Sequence, residues 1–179
     1  MARNALDRFI ADARAHWGPL GTDRIATYRR LLAELLATPV TEDWLAALHR
    51  DLPASLELHR DPEHGFVLQA HAEPTGLYRP PHDHGRSWVL YGVQRGESDM
   101  GTYGRVEGPD GRPVLVKRNA TLVRPGEVQA YLPGDIHDTR CVAGPALLFR
   151  FTERDLKAED AVAHRVTRYV QRNGVWTTE

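Results

Sequence analysis

Pro80-Pro81-His82-Asp83-His84-Gly85 is the stretch on which the reading of this chain turns, together with a later run, Pro133-Gly134-Asp135-Ile136-His137. Side chains of an extended strand alternate between its two faces, so the imidazoles of a His-x-His pair point to the same side. A third imidazole from a distant strand completes an open face for a divalent transition metal and leaves coordination positions for substrate, water or oxygen. His82, His84 and His137 are therefore the expected metal ligands. Asp83 lies between two ligands and faces the other way, as expected of a turn or salt-bridge residue. The remaining candidates His16, His49, His59, His64 and His164 show no ligand-like spacing and read as surface or structural residues.

The interval from His84 to His137 is too long for one hairpin and suits strands that are far apart in sequence but neighbours in a rolled-up sheet. From about Leu56 onward, short runs rich in Val, Leu, Tyr and Phe alternate with Gly, Pro and Asp turns. The expected strands are 65–72, 87–93, 98–103, 113–118, 121–123, 128–132, 139–142, 146–152 and 165–170. Turn signals include Gly108-Pro109-Asp110-Gly111 and Gly144-Pro145. Many short strands at regular spacing point to an antiparallel sandwich or barrel.

The first fifty residues read differently. Leu6, Phe9, Ile10, Ala13 and Trp17 share one helical face, and Gly18-Pro19 stops that helix. Ile25, Tyr28, Leu31, Leu32, Leu35 and Leu36 form a second stripe, with Thr22 and Asp23 where its N-cap should be and Pro39 at its end. Thr41 is the expected cap of a third, shorter helix carrying Trp44, Leu45 and Leu48. The organisation expected is one domain over 1–179, with a helical layer over 1–52 packed on the outside of a β-barrel over 56–179.

Composition narrows the partners. The 179 residues carry 23 basic and 24 acidic side chains, a formal net charge of -1, which gives no reason to expect nucleic acid or a membrane surface. No apolar run approaches the roughly 18–20 residues of a spanning helix, and the N-terminus lacks a hydrophobic signal segment. The single cysteine, Cys141, excludes an intrachain disulfide and fits a reducing, cytoplasmic compartment. Cys141 itself has no recognisable His-Asp arrangement around it and reads as a small buried residue.

Beyond the histidines, the chain resembles the cupins, whose two motifs each supply metal ligands to a small β-barrel. The first motif, G-x5-H-x-H-x(3,4)-E-x6-G, is met by Gly76, His82, His84 and Gly96, with Val89 in the glutamate position. The second, G-x5-P-x-G-x2-H-x3-N, is met by Gly126, Gly134 and His137, with Pro133 one residue late and Cys141 in the asparagine position. The resemblance implies a mainly β, double-stranded β-helix barrel. Val89 cannot ligate, so the implied site is three neutral histidines.

Among cupins that pattern resembles the thiol dioxygenases, cysteine dioxygenase and its bacterial relatives acting on 3-mercaptopropionate. The likeness spans roughly residues 56–151 and includes Pro81-His82-Asp83-His84, Gly92-x3-Gly96 and the spacing to His137. It implies a mononuclear non-haem Fe(II) dioxygenase that oxidises a small carboxylate-bearing thiol with O2. It also implies that Arg60, in His59-Arg60-Asp61-Pro62, holds the substrate carboxylate, with Arg86 or Arg150 as further anion-binding candidates. Two family features are missing. Val89 stands where some members carry a cysteine, and 146–152 contains no Ser-x-His-x-Tyr run. A replacement phenol is then expected from Tyr78, Tyr91, Tyr103 or Tyr131, with Tyr78 taken as the site residue.

His71 and Glu73 share one face of the strand before the ligand pair, a placement suited to orienting a ligand imidazole. Arg150 binds substrate only if its side of the strand faces the lumen. The same site with Zn, Ni or Mn would serve isomerase, lyase or β-dicarbonyl cleavage chemistry, and a non-catalytic small-molecule-binding cupin is the remaining alternative. The expected partners are a small-molecule substrate and O2, for a monomer or homodimer.

Overall fold

Three amphipathic helices come first: α1 (Ala5–Ala15), α2 (Thr22–Leu36) and α3 (Asp43–Asp51). They are seen in a computed structural model that describes residues 4–108, 111–162 and 165–178. Pro109 and Asp110 of the expected turn, His164, and Met1 to Arg3 of the N-terminus lie outside the described residues. The expected stripes bury Phe9 and Ala13 on α1, Tyr28, Leu31, Leu32, Leu35 and Leu36 on α2, and Leu45 and Leu48 on α3, while Leu6, Ile10, Trp17, Ile25 and Trp44 are partly buried against the same core. The caps differ from expectation. α2 begins at Thr22 itself behind Gly21, with no side-chain cap, and Asp23 sits in the first turn, where its charge complements the positive helix end. Glu42 rather than Thr41 precedes α3. Its carboxylate accepts from the Ala5 N–H (3.0 Å) and from Trp44 Nε1 (2.7 Å), tying the starts of α1 and α3 together.

The remainder is mainly β: β1 (Leu56–Arg60), β2 (Val67–Glu73), β3 (Tyr78–His82), β4 (Val89–Glu107), β5 (Pro113–Val123), β6 (Val128–Tyr131), β7 (Ile136–Thr152), a short helix α4 (Leu156–Ala161), β8 (Tyr169–Arg172) and β9 (Val175–Thr178). All strand pairs are antiparallel. The sheet order is β1-β2-β7-β4-β5-β9-β8, with β3 added on β7 and β6 on β4. The sheet curls into a half-barrel with the N-terminal helices against it, as expected.

Several expected strands merge. Segment 87–93 from Val89 onward and segment 98–103 belong to the 19-residue β4, and 139–142 and 146–152 belong to the 17-residue β7. Segments 113–118 and 121–123 are both part of β5. The punctuating glycines bend these strands instead of ending them. The β4–β7 register shifts repeatedly between Val93 and Ser98, and the neighbours change across that bend. Before it, Val89 to Gly92 of β4 pair with β6, and the end of β7 pairs with β2. After it, β4 pairs with β5, and the start of β7 pairs with β3. One long strand pair thus runs through both walls of the half-barrel.

β1, β3 and β9 are not among the expected strands. Pro80-Pro81 hides β3, because proline cannot donate to a ladder. Both prolines fall where the β3–β7 register shifts, between the paired Arg79 and His82. The expected strand 165–170 starts late. Arg168 makes only an isolated bridge with His82, and β8 begins at Tyr169.

The apolar run of β7 is buried on both faces, as in strands covered on each side. Leu147, Phe149 and Phe151 pack on the helices, while Ala146 and Leu148 join Val89, Tyr91 and Val93 on the inner face. Phe151 anchors the helical side, its ring centroid 5.1–5.5 Å from those of Phe9, Tyr28, Phe66 and Trp88. Among the described residues, no helix is long and apolar enough to cross a membrane.

The bend depends on Gly96. Its φ is +76°, and a Cβ there would lie 2.3 Å from the Ala143 carbonyl oxygen. Gly126 has a similar φ of +87° but open space around it. Gly126→Ala should therefore cost only the left-handed backbone strain, about 1–2 kcal/mol. Gly96→Ala should cost about 1–3 kcal/mol more through overlap. Chemical denaturation of both variants checks this, and equal losses would mean that backbone strain alone acts at Gly96.

Candidate metal centre

The antiparallel register of β3 and β7 makes His82 and His137 direct cross-strand partners. His84 lies two residues beyond the end of β3, so the His-x-His pair straddles a strand end instead of lying within one. What holds that run extended is Asp83. Its N–H donates to the Thr167 carbonyl at 3.0 Å. Its carboxylate accepts from the N–H groups of Gly85 (3.0 Å) and Thr167 (2.9 Å), and from Arg105 Nη2 (3.1 Å). Asp83 thus points away from the histidines and pins both of them to the segment leading into β8.

The structure brings the three histidines together. Each offers a ring nitrogen, and the three atoms lie within 4.8 Å of one another. His84 Nε2 and His137 Nε2 are 3.4 Å apart. Two bonds of about 2.1 Å to a common ion, opening at about 109°, give a separation of about 3.4 Å. His82 Nδ1 is 2.8 Å from the Pro80 carbonyl oxygen, an acceptor only, so Nδ1 carries the proton and the Nε2 lone pair is free. Burial is the main cause pushing all three rings below the usual imidazole range, His84 and His137 well below it. Three neutral imidazoles that turn nitrogens toward one point fit a divalent cation, which is the partner that relieves the repulsion of facing lone pairs. The Nδ1 atoms of His84 and His137 are buried with no hydrogen-bond partner among the described residues.

A cavity of about 660 Å³ opens over His82 and His84. Arg150 lines it, which settles the side on which that strand position lies. Arg150 Nη2 donates to Gln69 Oε1, and the guanidinium also reaches the Tyr91 phenol. Tyr78 lines the cavity too, but its hydroxyl donates to Asp138 at 3.0 Å. Burial and that carboxylate push Tyr78 up to about 12. Tyr103 donates to the same carboxylate at 2.5 Å. Tyr131 stacks on His137, with centroids 3.9 Å apart and planes at 25°. Of the four tyrosines, Tyr91 is the one whose hydroxyl faces the histidines, 3.3 Å from His84 Nε2.

The structure does not bring Arg60 or Arg86 to the site. Arg60 sits on the edge strand β1, paired with Glu57 (2.7 Å) and Asp155 (2.9 Å), and does not line the cavity. Arg86 is exposed beyond the histidine run and pairs with Glu159 at 3.2 Å. His71 and Glu73 line the cavity but bond elsewhere, His71 Nδ1 to the Ala54 carbonyl (3.3 Å) and Glu73 to Arg79 (2.8 Å). Arg79, Lys157 and Arg168 also line it and carried no sequence signal, since charges on short, weakly patterned segments read as solvated. Cys141 is buried, its thiol raised by burial, and its Sγ donates to the Glu73 carbonyl at 3.3 Å. The other described histidines take structural partners: His16 Asp12, His49 Gln94, His59 Asp61, and His64 the Trp17 ring.

No protein-family model matches the sequence, and no curated protein matches it. Several solved structures are similar to it. The cupin domain of Schizosaccharomyces pombe Cnp3 is 10% identical with a TM-score of 0.44, over 61% of this chain and 69% of that one. KdgF from Halomonas sp. is 17% identical with a TM-score of 0.44, over 56% and 80%. An oxalate oxidase in complex with the substrate analogue glycolate is 23% identical with a TM-score of 0.40, over 55% of this chain and 50% of that one. The matched segment is thus half of the oxalate oxidase, and each likeness is one of partial fold.

Asp83 gives the site a direct test. Asp83→Ala removes the acceptor of two backbone N–H groups and of Arg105, and should cost about 2–4 kcal/mol of stability. Asp83→Asn retains one acceptor oxygen and should lose less. Denaturation curves for both variants check this, and an unchanged midpoint for Asp83→Ala would show that the clamp contributes nothing.

Proposed function

We propose that this protein is a mononuclear non-haem Fe(II) dioxygenase of the cysteine-dioxygenase-like kind, oxidising a small carboxylate-bearing thiol with O2. One observation carries the reading: three neutral imidazoles, with no carboxylate among them, turn nitrogens toward one point, and His82 and His84 line a cavity that Arg150 also lines. An all-imidazole set leaves a divalent ion its full charge, which favours an anionic ligand such as a thiolate. Iron(II) bound by His82, His84 and His137 would supply the redox chemistry by which both atoms of O2 are added to the sulfur of a thiolate, giving a sulfinate.

The chain's own groups then have defined tasks. The Pro80 carbonyl fixes the His82 ring with Nε2 toward the centre. Arg150 takes the substrate carboxylate as a charge-assisted pair, the role the family resemblance gave to Arg60. Among the described residues Arg150 has no carboxylate partner, and its Nε is buried and unbonded. Burial raises the Tyr91 phenol, so Oη keeps its proton and can donate beside His84. On this reading Tyr91, not Tyr78, serves in place of the missing late-strand phenol. Leu148, Leu156 and Tyr169 give the cavity an apolar lining that limits water. The reading is of one domain over 1–179, acting in the cytoplasm as a monomer or homodimer on a small molecule and O2.

Anaerobically purified protein should contain about one iron per chain and consume O2 only with a small thiol acid. Arg150→Gln should raise KM roughly tenfold or more, the scale of a hydrogen bond to a charged group. Arg60→Gln should leave KM within about twofold, as an exposed ion pair does. Turnover under nitrogen would instead support Lewis-acid chemistry with Zn, Ni or Mn. Tight ligand binding without turnover under any gas would support a non-catalytic binder.

A further inference from the structure

Tyr91 stands between Val89 and Val93 on the inner face of β4, and of these three only Tyr91 carries an atom that can bond an ion. β6 and β7 flank that stretch, with Gln129 and Arg150 as the cross-strand partners of Tyr91, so its backbone is fixed on both sides. The ring is fixed as well. It is wedged between Tyr131 and His137, at centroid separations of 6.1 and 5.3 Å, and the residue is 8% exposed.

Distances show what the phenol oxygen is placed to do. His84 Nε2 is 3.4 Å from His137 Nε2 and 3.3 Å from Tyr91 Oη. Two atoms bonded to one ion at about 2.1 Å, opening between about 90° and 109°, stand about 3.0–3.4 Å apart. Both contacts fall in that range. The Tyr91 contact is also longer than the roughly 2.7–3.2 Å usual between a hydrogen-bonded nitrogen and oxygen. A His84 nitrogen turned toward an ion has no lone pair left for the phenol, so Oη is free to share that ion. The Arg150 guanidinium reaches the same phenol, and its charge offsets that of a phenolate in a buried place. Iron(III) carries one charge more than iron(II), prefers hard anionic oxygen donors, and acidifies a group that it binds.

We propose that Tyr91 is a fourth protein ligand of the centre, bound as phenolate when the metal is iron(III). On oxidation, iron(II) gives up one electron, the Tyr91 O–H bond breaks, its proton passes to solvent, and an oxygen lone pair bonds the metal. Reduction reverses each step and restores the phenol described above. The oxidised protein therefore has one open coordination position fewer than the iron(II) protein. The proposal rests on iron held by His82, His84 and His137, not on thiol oxidation.

The test is optical. Protein loaded anaerobically with one equivalent of Fe(II) is oxidised with ferricyanide, which takes the electron and becomes ferrocyanide, and is then desalted. A visible phenolate-to-iron(III) absorption should appear, with tyrosinate vibrations enhanced in resonance Raman spectra excited within it. Tyr91→Phe, which removes only the hydroxyl, should lose the band entirely while still binding about one iron per chain. Tyr78→Phe and Tyr131→Phe should both keep it, and these two decide the matter if Tyr91→Phe folds poorly. An oxidised protein without the band, a band that survives in Tyr91→Phe, or a band lost in Tyr78→Phe or Tyr131→Phe would overturn the proposal. Iron content, measured before oxidation, separates the two readings. Iron bound without the band refutes phenolate ligation and leaves the dioxygenase reading standing. The band without thiol oxidation does the reverse, and protein that binds no iron overturns both.

Discussion

The register of β3 against β7 is the constraint on which everything else hangs. It places His82 opposite His137, and Asp83 then delivers His84 to the same point by holding the chain extended past the strand end. A shift of one residue would send His137 to the other face and bring Ile136 or Asp138 inward. Asp138 shows what that other face holds. It is satisfied by Tyr78, Tyr103 and the Gly101 N–H, with Lys117 at 3.7 Å. The two faces of one strand thus separate a set of neutral nitrogens from an anionic knot by the pleat alone.

The same alternation builds the cavity. β7 is apolar on both sides because helices cover one face and the half-barrel interior lies on the other. Arg150 is the exception within that run. It stands on the inner face, bonded to Gln69 and reaching Tyr91, and its charge helps lower His71, His82 and His84. A half-buried cation beside neutral imidazoles is unfavourable to protonation and favourable to anionic ligands, so the electrostatics of the wall and of the histidines point the same way.

Much of this was legible in the chain. The helical stripes, the antiparallel β character and the three histidines follow from periodicity and spacing, which local geometry enforces. What was not legible depends on neighbours that the sequence does not name. Arg60 lies near the ligand motif along the chain, but its strand is the sheet edge, where Glu57 and Asp155 claim it. Arg150 sits in a strand buried on both faces, so no alternation marked its side. Gly96 and Gly144-Pro145 read as breaks because a bend in a continuous strand and a turn use the same residues. β3 was hidden by two prolines that happen to fall where the ladder is interrupted. The segment from Val166 to Val170 lines the cavity, held by the bridge between Arg168 and His82 and by the Asp83–Thr167 hydrogen bonds, contacts that no sequence pattern marks.

The most direct measurement is X-ray absorption at the iron edge of protein loaded with one equivalent of Fe(II), compared with His137→Ala treated alike. The account predicts three imidazole nitrogens at about 2.1 Å in the unaltered protein and loss of stoichiometric binding in the variant. A first shell without imidazole, or an identical shell in His137→Ala, would contradict it.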